Sequence, residues 1–192
     1  SPNYHVIVVG AGHAGCEAAF AVARLNKKVL MISLQKQHIG RLSCNPAVGG
    51  LAKGNLVREI DALGGIMAKV TDRASIQFRR LNTRKGLAVQ ASRAQVDIDI
   101  YPREMAKEIL SHPNIDFVEG EAADVCTEDG RIVGLVLADG QRVYTNALII
   151  TTGTFLSGTL HCGEKQVSGG RIGEHAANQL SKSLLQLGLR LG

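Results

Sequence analysis

Six residues near the N-terminus have the types and spacing that can hold a phosphate: Gly10-Ala11-Gly12-His13-Ala14-Gly15, a G-x-G-x-x-G pattern. In such a turn the first glycine permits a sharp bend, the second lets the backbone approach a pyrophosphate, and the third lets a helix pack closely on a strand. The anion is met by backbone N–H groups at a helix N-terminus, so no basic side chain is required. The pattern is specific only in a strand-turn-helix-strand context, and that context is present. Residues 5–9 (HVIVV) form a continuous apolar run, as in a strand buried on both faces, and residues 17–25 are Ala-rich and helical in pattern. Residues 28–33 (KVLMIS) read as a second buried strand. One residue type is missing. An acidic side chain normally follows the second strand to hold ribose hydroxyls, but Ser33 and Gln35 occupy that region. Ribose recognition therefore falls to neutral groups or to residues elsewhere.

The rest of the chain must supply the frame for this turn. Its 192 residues suffice for one domain that buries roughly 70% of its extended surface. With 45% hydrophobic and 20% charged residues it has the composition of a globular protein, and no apolar run approaches the ~20 residues of a membrane span. The 22 Gly, set against four Phe, three Tyr and no Trp, favour tight turns and close backbone approach over aromatic stacking platforms. The formal charge of +5 is unevenly placed. No acidic residue lies between Glu17 and Glu59, while Arg24, Lys27, Lys28, Lys36, Arg41, Lys53 and Arg58 do. On charge alone, an anion-facing surface and a solvated basic face are both open. Cys16, Cys44, Cys126 and Cys162 show no C-x-x-C pairing, and the first residues read as a strand and not as a leader, so a reducing cytoplasmic setting is expected.

Between residues 35 and 54 the sequence is a glycine-rich excursion, of the kind that is functional or mobile in compact domains. A helix is predicted over 55–63, ending at Gly64-Gly65, and a longer one over 95–111, stopped by Pro113. Residues 115–119 read as a strand. Asp129-Gly130 and Asp139-Gly140 each separate strand-like runs, which predicts a three-stranded meander over 125–144, followed by a buried strand over 147–154. Residues 160–177 read as loop and 178–187 as a closing helix.

A βαβ unit with G-x-G-x-x-G, a meander crossover and an apolar strand ending in Thr151-Thr152-Gly153 resembles the FAD-binding domain of glutathione-reductase-type flavoproteins. The fold expected is therefore α/β, a Rossmann-like FAD-binding domain. More specific are the blocks Gly10-Ala11-Gly12-His13-Ala14-Gly15-Cys16-Glu17-Ala18-Ala19, Ser43-Cys44-Asn45-Pro46-Ala47-Val48-Gly49-Gly50, Glu59-Ile60-Asp61-Ala62-Leu63-Gly64-Gly65, Leu81-Asn82 with Lys85-Gly86, Arg93-Ala94-Gln95, and Gly153-Thr154-Phe155-Leu156. These resemble the glucose-inhibited division protein A family, the large flavoprotein subunit that modifies tRNA wobble uridine. The related folate-dependent tRNA-methylating flavoprotein fits less well, having an acidic residue after its second strand and a different cysteine loop.

The resemblance implies an enzyme that installs a carboxymethylaminomethyl or aminomethyl group on uridine C5 of tRNA. It implies FAD, NADH and methylenetetrahydrofolate, with glycine or ammonium as amine donor, a homodimer, and a GTPase partner. For FAD it implies contacts at Gly10, Ala11, Gly12, His13, Ala14, Gly15, Glu17, Ala122, Gly153 and Ala177. His13 is assigned through its backbone, and Glu17 is able to reach either a ribose or a neighbouring strand. Cys44 becomes a candidate nucleophile, since a thiolate adding to uridine C6 raises electron density at C5, and Lys53 or Arg41 nearby could lower its pKa; packing under the flavin is the alternative. Arg79, Arg80, Arg84, Lys85 and Arg93 become candidates for tRNA phosphates, the alternative being an ordinary charged surface. Leu87 and Gln90 depart from the family's usual Pro and Arg, and Ala177 from a small polar residue. The chain is expected to be an incomplete FAD-binding domain over residues 1–192, inactive alone, lacking an NADH-binding insertion and a C-terminal helical domain. Two rivals remain open: an FAD-dependent oxidoreductase acting on a small molecule, and a non-catalytic flavin- or RNA-binding module.

Overall fold

The computed structural model describes residues 4–42, 45–153, 159–162, 165–168 and 178–191. The βαβ unit forms as the apolar runs dictate: β1 (Val6–Val9), α1 (His13–Arg24) and β2 (Val29–Ser33). β6 (Ile115–Glu119) and β10 (Leu148–Ile150) complete a parallel four-stranded sheet in the order β10-β1-β2-β6. Side chains alternate across this sheet, so the continuous apolar runs serve two cores. Val8 and Met31 point into one, shared with Ala19, Ile66, Val70, Tyr101, Met105 and Ile109. Ile7, Val9, Leu30 and Ile32 point into the other, closed by Val125, Leu135, Leu180 and Leu184. β10 is half-buried along its length and not the fully buried strand expected.

The second core is roofed by the meander β7 (Ala122–Glu128), β8 (Arg131–Leu137) and β9 (Arg142–Tyr144), antiparallel throughout. Asp129 and Gly130 both have positive φ (50° and 73°), which matches the twist of the flanking strands and explains the Asp-Gly signal. The final helix α5 (Asn178–Gln186) docks on β7, where Ser183 Oγ accepts the Val125 N–H at 3.0 Å and donates to Asp124 Oδ1 at 2.5 Å. A short antiparallel hairpin, β11 (Thr159–Cys162) with β12 (Lys165–Ser168), falls where a loop was expected.

The middle of the chain departs most from the sequence reading. The excursion after β2 includes a 3-10 turn, Lys36–His38, and β3 (Ala47–Gly49). Then α2 (Lys53–Ala62), α3 (Met67–Ala74), β4 (Ser75–Leu81) and β5 (Ala91–Val96) follow, with the small antiparallel sheet ordered β3-β5-β4. The helix expected from residue 95 starts later, as α4 (Ile100–Ser111). Gln95 is held in β5 by pairing with Ala47 and Gln77. The Asp97 carboxylate then accepts the N–H groups of Asp99 and Ile100, both at 2.9 Å, and opens the helix there.

Candidate functional site

The glycine turn, the ends of β2 and β10, and the start of β7 enclose one cleft, with a cavity volume of about 180 Å³. Gly10 has φ 103°, and a Cβ there would lie 2.5 Å from the Thr151 carbonyl oxygen. Gly15 sits so close over the Gly10 carbonyl that any Cβ would overlap it. Gly12 is different: among the described residues, nothing beyond its immediate chain neighbours lies within 4 Å of its Cβ position, although it borders the cleft. Two glycines thus satisfy the fold, and the third keeps space open where a ligand would approach.

Backbone hydrogen bonds fix the turn from three sides. Gly10 N–H donates to Ile32 O at 2.8 Å, Gly40 N–H to Ala11 O at 2.9 Å, and Thr151 N–H to Val9 O at 2.8 Å. Thr151 Oγ1 also donates to Val9 O at 2.9 Å. Gly12, the N-cap residue of α1, offers no side-chain cap and no acidic residue stands in the first turn, so the positive end of the helix faces the cleft. An uncapped helix start, an open Gly12 and a preformed cleft fit the pyrophosphate of a dinucleotide.

The sequence-predicted residues divide on this geometry. Gly10, Ala11, Gly12, Ala122 and Gly153 line the cleft, while Ala14 and Gly15 belong to the helix turn that closes it. The His13 ring turns from the cleft towards α4. It meets Tyr101 edge-on with centroids 5.6 Å apart and Nδ1 3.5 Å from the phenol oxygen, and burial with the Lys53 charge holds its pKa below the ordinary value. Only its backbone remains for an anion. Glu17 requires a correction: its carboxylate accepts the Ile66 N–H at 3.1 Å and the Met67 N–H at 2.5 Å, at the start of α3, so it is engaged with a neighbouring helix and not with the cleft. Cys16 is buried, donates to Ala11 O at 3.3 Å, and is pushed up to about 12 by burial, which suits a packing role. Cys44 and Ala177 lie outside the described residues.

Several cleft residues carry no side-chain role towards the cofactor in the sequence reading. Thr151 anchors the turn, Leu180 reaches in from α5, and Glu121, His38 and Arg41 bring charge or a titratable ring to the wall. Ser33 lines it where an acidic residue would ordinarily stand. The Thr-Thr-Gly end of β10 was the available signal for Thr151, whereas Leu180 comes from an element distant in sequence.

The second group of predicted residues gathers on the β4–β5 hairpin. Arg79 and Arg80 are exposed on β4, and Arg84 and Lys85 are exposed in the connecting loop. Arg93 on β5 lies directly opposite Arg79 in the register and donates to Asn45 Oδ1 at 3.2 Å. Like charges facing across a ladder destabilise it, so the pair is costly unless an anion sits over it. Arg58 of α2 adds to the same neighbourhood by donating to Ser92 Oγ at 2.8 Å. The loop is braced, since Asn82 Nδ2 donates to Val89 O at 3.0 Å and Gln90 Nε2 to Lys85 O at 2.9 Å. The structure gathers these cations on one hairpin and its neighbours, separate from the cleft lining.

Among the described residues, no cluster of His, Cys, Asp or Glu could hold a metal ion, and no helix is long and apolar enough to cross a membrane. Comparison with known proteins adds the family. A curated relative from Endomicrobium trichonymphae, named tRNA uridine 5-carboxymethylaminomethyl modification enzyme MnmG, is 47% identical over 191 residues, covering 99% of this chain and 32% of the relative. A protein of the same name from Campylobacter hominis is 51% identical over 190 residues, covering 99% of this chain and 30% of that one. The chain therefore spans about a third of the length of the curated relatives it matches. The structure of Aquifex aeolicus GidA superposes with a TM-score of 0.91 at 45% identity, covering 95% of this chain and 30% of that chain. The GidA-related protein from Thermus thermophilus shares the fold at 17% identity, with a TM-score of 0.67, covering 97% of this chain and 69% of that one. The family model described as Glucose inhibited division protein A matches residues 5–192, and with a basic hairpin and a phosphate-binding βαβ turn in place, the chain belongs to that family.

Proposed function

We propose that this chain is the FAD-binding part of an enzyme that modifies tRNA wobble uridine at C5 with a carboxymethylaminomethyl or aminomethyl group. The observation that carries the reading is the family match over residues 5–192 together with a turn in which Gly12 alone keeps ligand space open. Gly10, Ala11, Gly12 and the backbone of His13, Ala14 and Gly15 would hold the FAD pyrophosphate, with Ala122 and Gly153 at the far wall and Ala177 as a further contact. Bound FAD would supply the two-electron chemistry of the site. The residues of the chain bind, orient and exclude water from the cofactor.

In this reading NADH, methylenetetrahydrofolate and glycine or ammonium are co-substrates of the full-length protein. It works in the cytoplasm as a homodimer with a GTPase partner, and residues 1–192 form the N-terminal portion of its FAD domain. Cys44 is the nucleophile that adds to uridine C6, and Arg79, Arg80, Arg84, Lys85 and Arg93 hold tRNA phosphates. The test is nucleoside mass spectrometry of unmodified tRNA incubated with the full-length protein, its GTPase partner and the named co-substrates. Conversion of wobble uridine that is lost in Cys44→Ser with full FAD content supports the reading. Rapid turnover of a small substrate without tRNA overturns it in favour of an ordinary flavin oxidoreductase.

A further inference from the structure

Two side chains of α1 meet at the joint between α2 and α3, residues 63–66. Glu17 and Arg24 are seven positions apart, two helical turns, and therefore share a face of α1. Arg24 Nη1 donates to the Leu63 carbonyl at 2.7 Å, at the C-terminal end of α2. The Glu17 carboxylate accepts the Ile66 N–H at 3.1 and 3.2 Å and the Met67 N–H at 2.5 Å, at the N-terminal end of α3. Each charge has the sign that its helix terminus attracts. α3 has no cap from its own N-cap residue, Ile66, so Glu17 stands in from a different helix.

The joint is shaped around these two groups. Gly64 has φ 84°, and a Cβ there would overlap the Arg24 guanidinium. A Cβ on Gly65 would lie 2.6 Å from Glu17 Oε2. The two glycines are thus the openings through which the side chains of α1 reach the backbone. A Gly-Gly joint is also floppy when released, and α2 contributes little to hold it, since Gly54 is its one buried residue.

The ends of this linkage lead to the two functional regions. α1 begins at the cleft, next to Gly12, while α3 runs without a break into β4, which carries Arg79 and Arg80. We propose that Glu17 and Arg24 are positioning residues that couple dinucleotide occupancy of the cleft to the order of α3 and the basic hairpin. An anion on the first turn of α1 steadies the helix that presents both groups, and a steadied pair raises the cost of opening the joint. By reciprocity, a polyanion that orders the hairpin tightens the dinucleotide. The inference rests on the flavin reading of the cleft.

Amide hydrogen exchange on the full-length protein, flavin-free and FAD-loaded, tests it. In the wild type, FAD slows exchange roughly tenfold in peptides spanning 63–74 and 75–96, beyond the slowing at the glycine turn. In Glu17→Gln and Arg24→Gln that remote slowing is lost while the visible flavin spectrum is kept; Arg24→Lys, which keeps a donor, restores it in part. A merely structural contact would loosen 63–74 equally with and without FAD. Wild-type protein that loads FAD without remote slowing overturns the coupling alone, a result that needs no variant to fold. Protein that takes no flavin overturns both the coupling and the reading of the cleft.

Discussion

At the scale of single residues, the three glycines of the turn separate folding from binding. Gly12→Ala places a methyl group where, among the described residues, only its immediate chain neighbours lie within 4 Å, so the melting temperature should stay within a degree or so while flavin affinity falls. Gly10→Ala must adopt φ 103° against the Thr151 carbonyl and should cost about 1–3 kcal/mol of stability in addition. A fluorescence titration with FAD and a thermal melt on both variants check the distinction. Equal destabilisation by both would mean that Gly12 serves the fold as Gly10 does. Cys16 gives a second prediction. Its thiol is raised from 9.0 to about 12 by burial, so its contribution to stability is complete below pH 9 and disappears as pH rises towards 12. Denaturant melts should show a smaller alkaline loss in Cys16→Ala than in the wild type, and iodoacetamide should label Cys16 only after unfolding. Rapid labelling at Cys16 itself in the native chain, located by peptide mass spectrometry, would refute its burial.

At the scale of elements, Asp97 ends β5 and opens α4 within a few residues. Its carboxyl is held below the usual aspartate value by the Ile100 and Asp99 N–H groups, so its contribution is present above the ordinary aspartate pKa and is lost as pH falls through the depressed one. Asp97→Ala should lower the melting temperature at neutral pH, with the difference shrinking in acid; a constant difference down to pH 2 would assign the effect to something other than the charge. The same residue shows why sequence and structure diverge in the middle of the chain. The Gln95–Val96 stretch continues helically in pattern, but pairing with Ala47 and Gln77 holds Gln95 in a strand, and those partners lie far away in sequence. β4 escaped for a related reason. It alternates polar and apolar only over residues 75–79, with Ile76 and Phe78 exposed at 67% each, and Arg80 breaks the pattern, so the strand signal is short and α3 runs straight into it. By contrast β1, β2, the first turn and the Asp-Gly meander were legible, because their patterns arise from local backbone needs and burial on both faces. The site followed the same division. The glycine turn was read directly, the contribution of Leu180 from α5 was not, and Glu17 was misassigned since its N–H partners sit 49 and 50 positions away.

At the scale of the whole molecule, charge and fold separate into two surfaces. The parallel sheet with its two cores holds the cleft, while the β3-β5-β4 sheet bears Arg79 facing Arg93 with no acidic residue in the ladder. Charge reversal at Arg79 and Arg80 should weaken tRNA binding and flatten its dependence on salt, with flavin content unchanged. Filter binding across a salt series measures both quantities, and an unaltered slope would return these residues to the solvated surface. The central claim, however, is that the cleft beside Gly12 takes FAD, since the enzymatic reading, the coupling through α1 and the role of the hairpin all depend on it. The direct measurement is a visible absorption spectrum of the purified protein before and after addition of FAD and removal of the excess. Bands of bound flavin near one per chain, abolished or strongly reduced in Gly12→Ala at unchanged melting temperature, are the predicted result. A wild-type protein that melts cooperatively yet retains no flavin would contradict it.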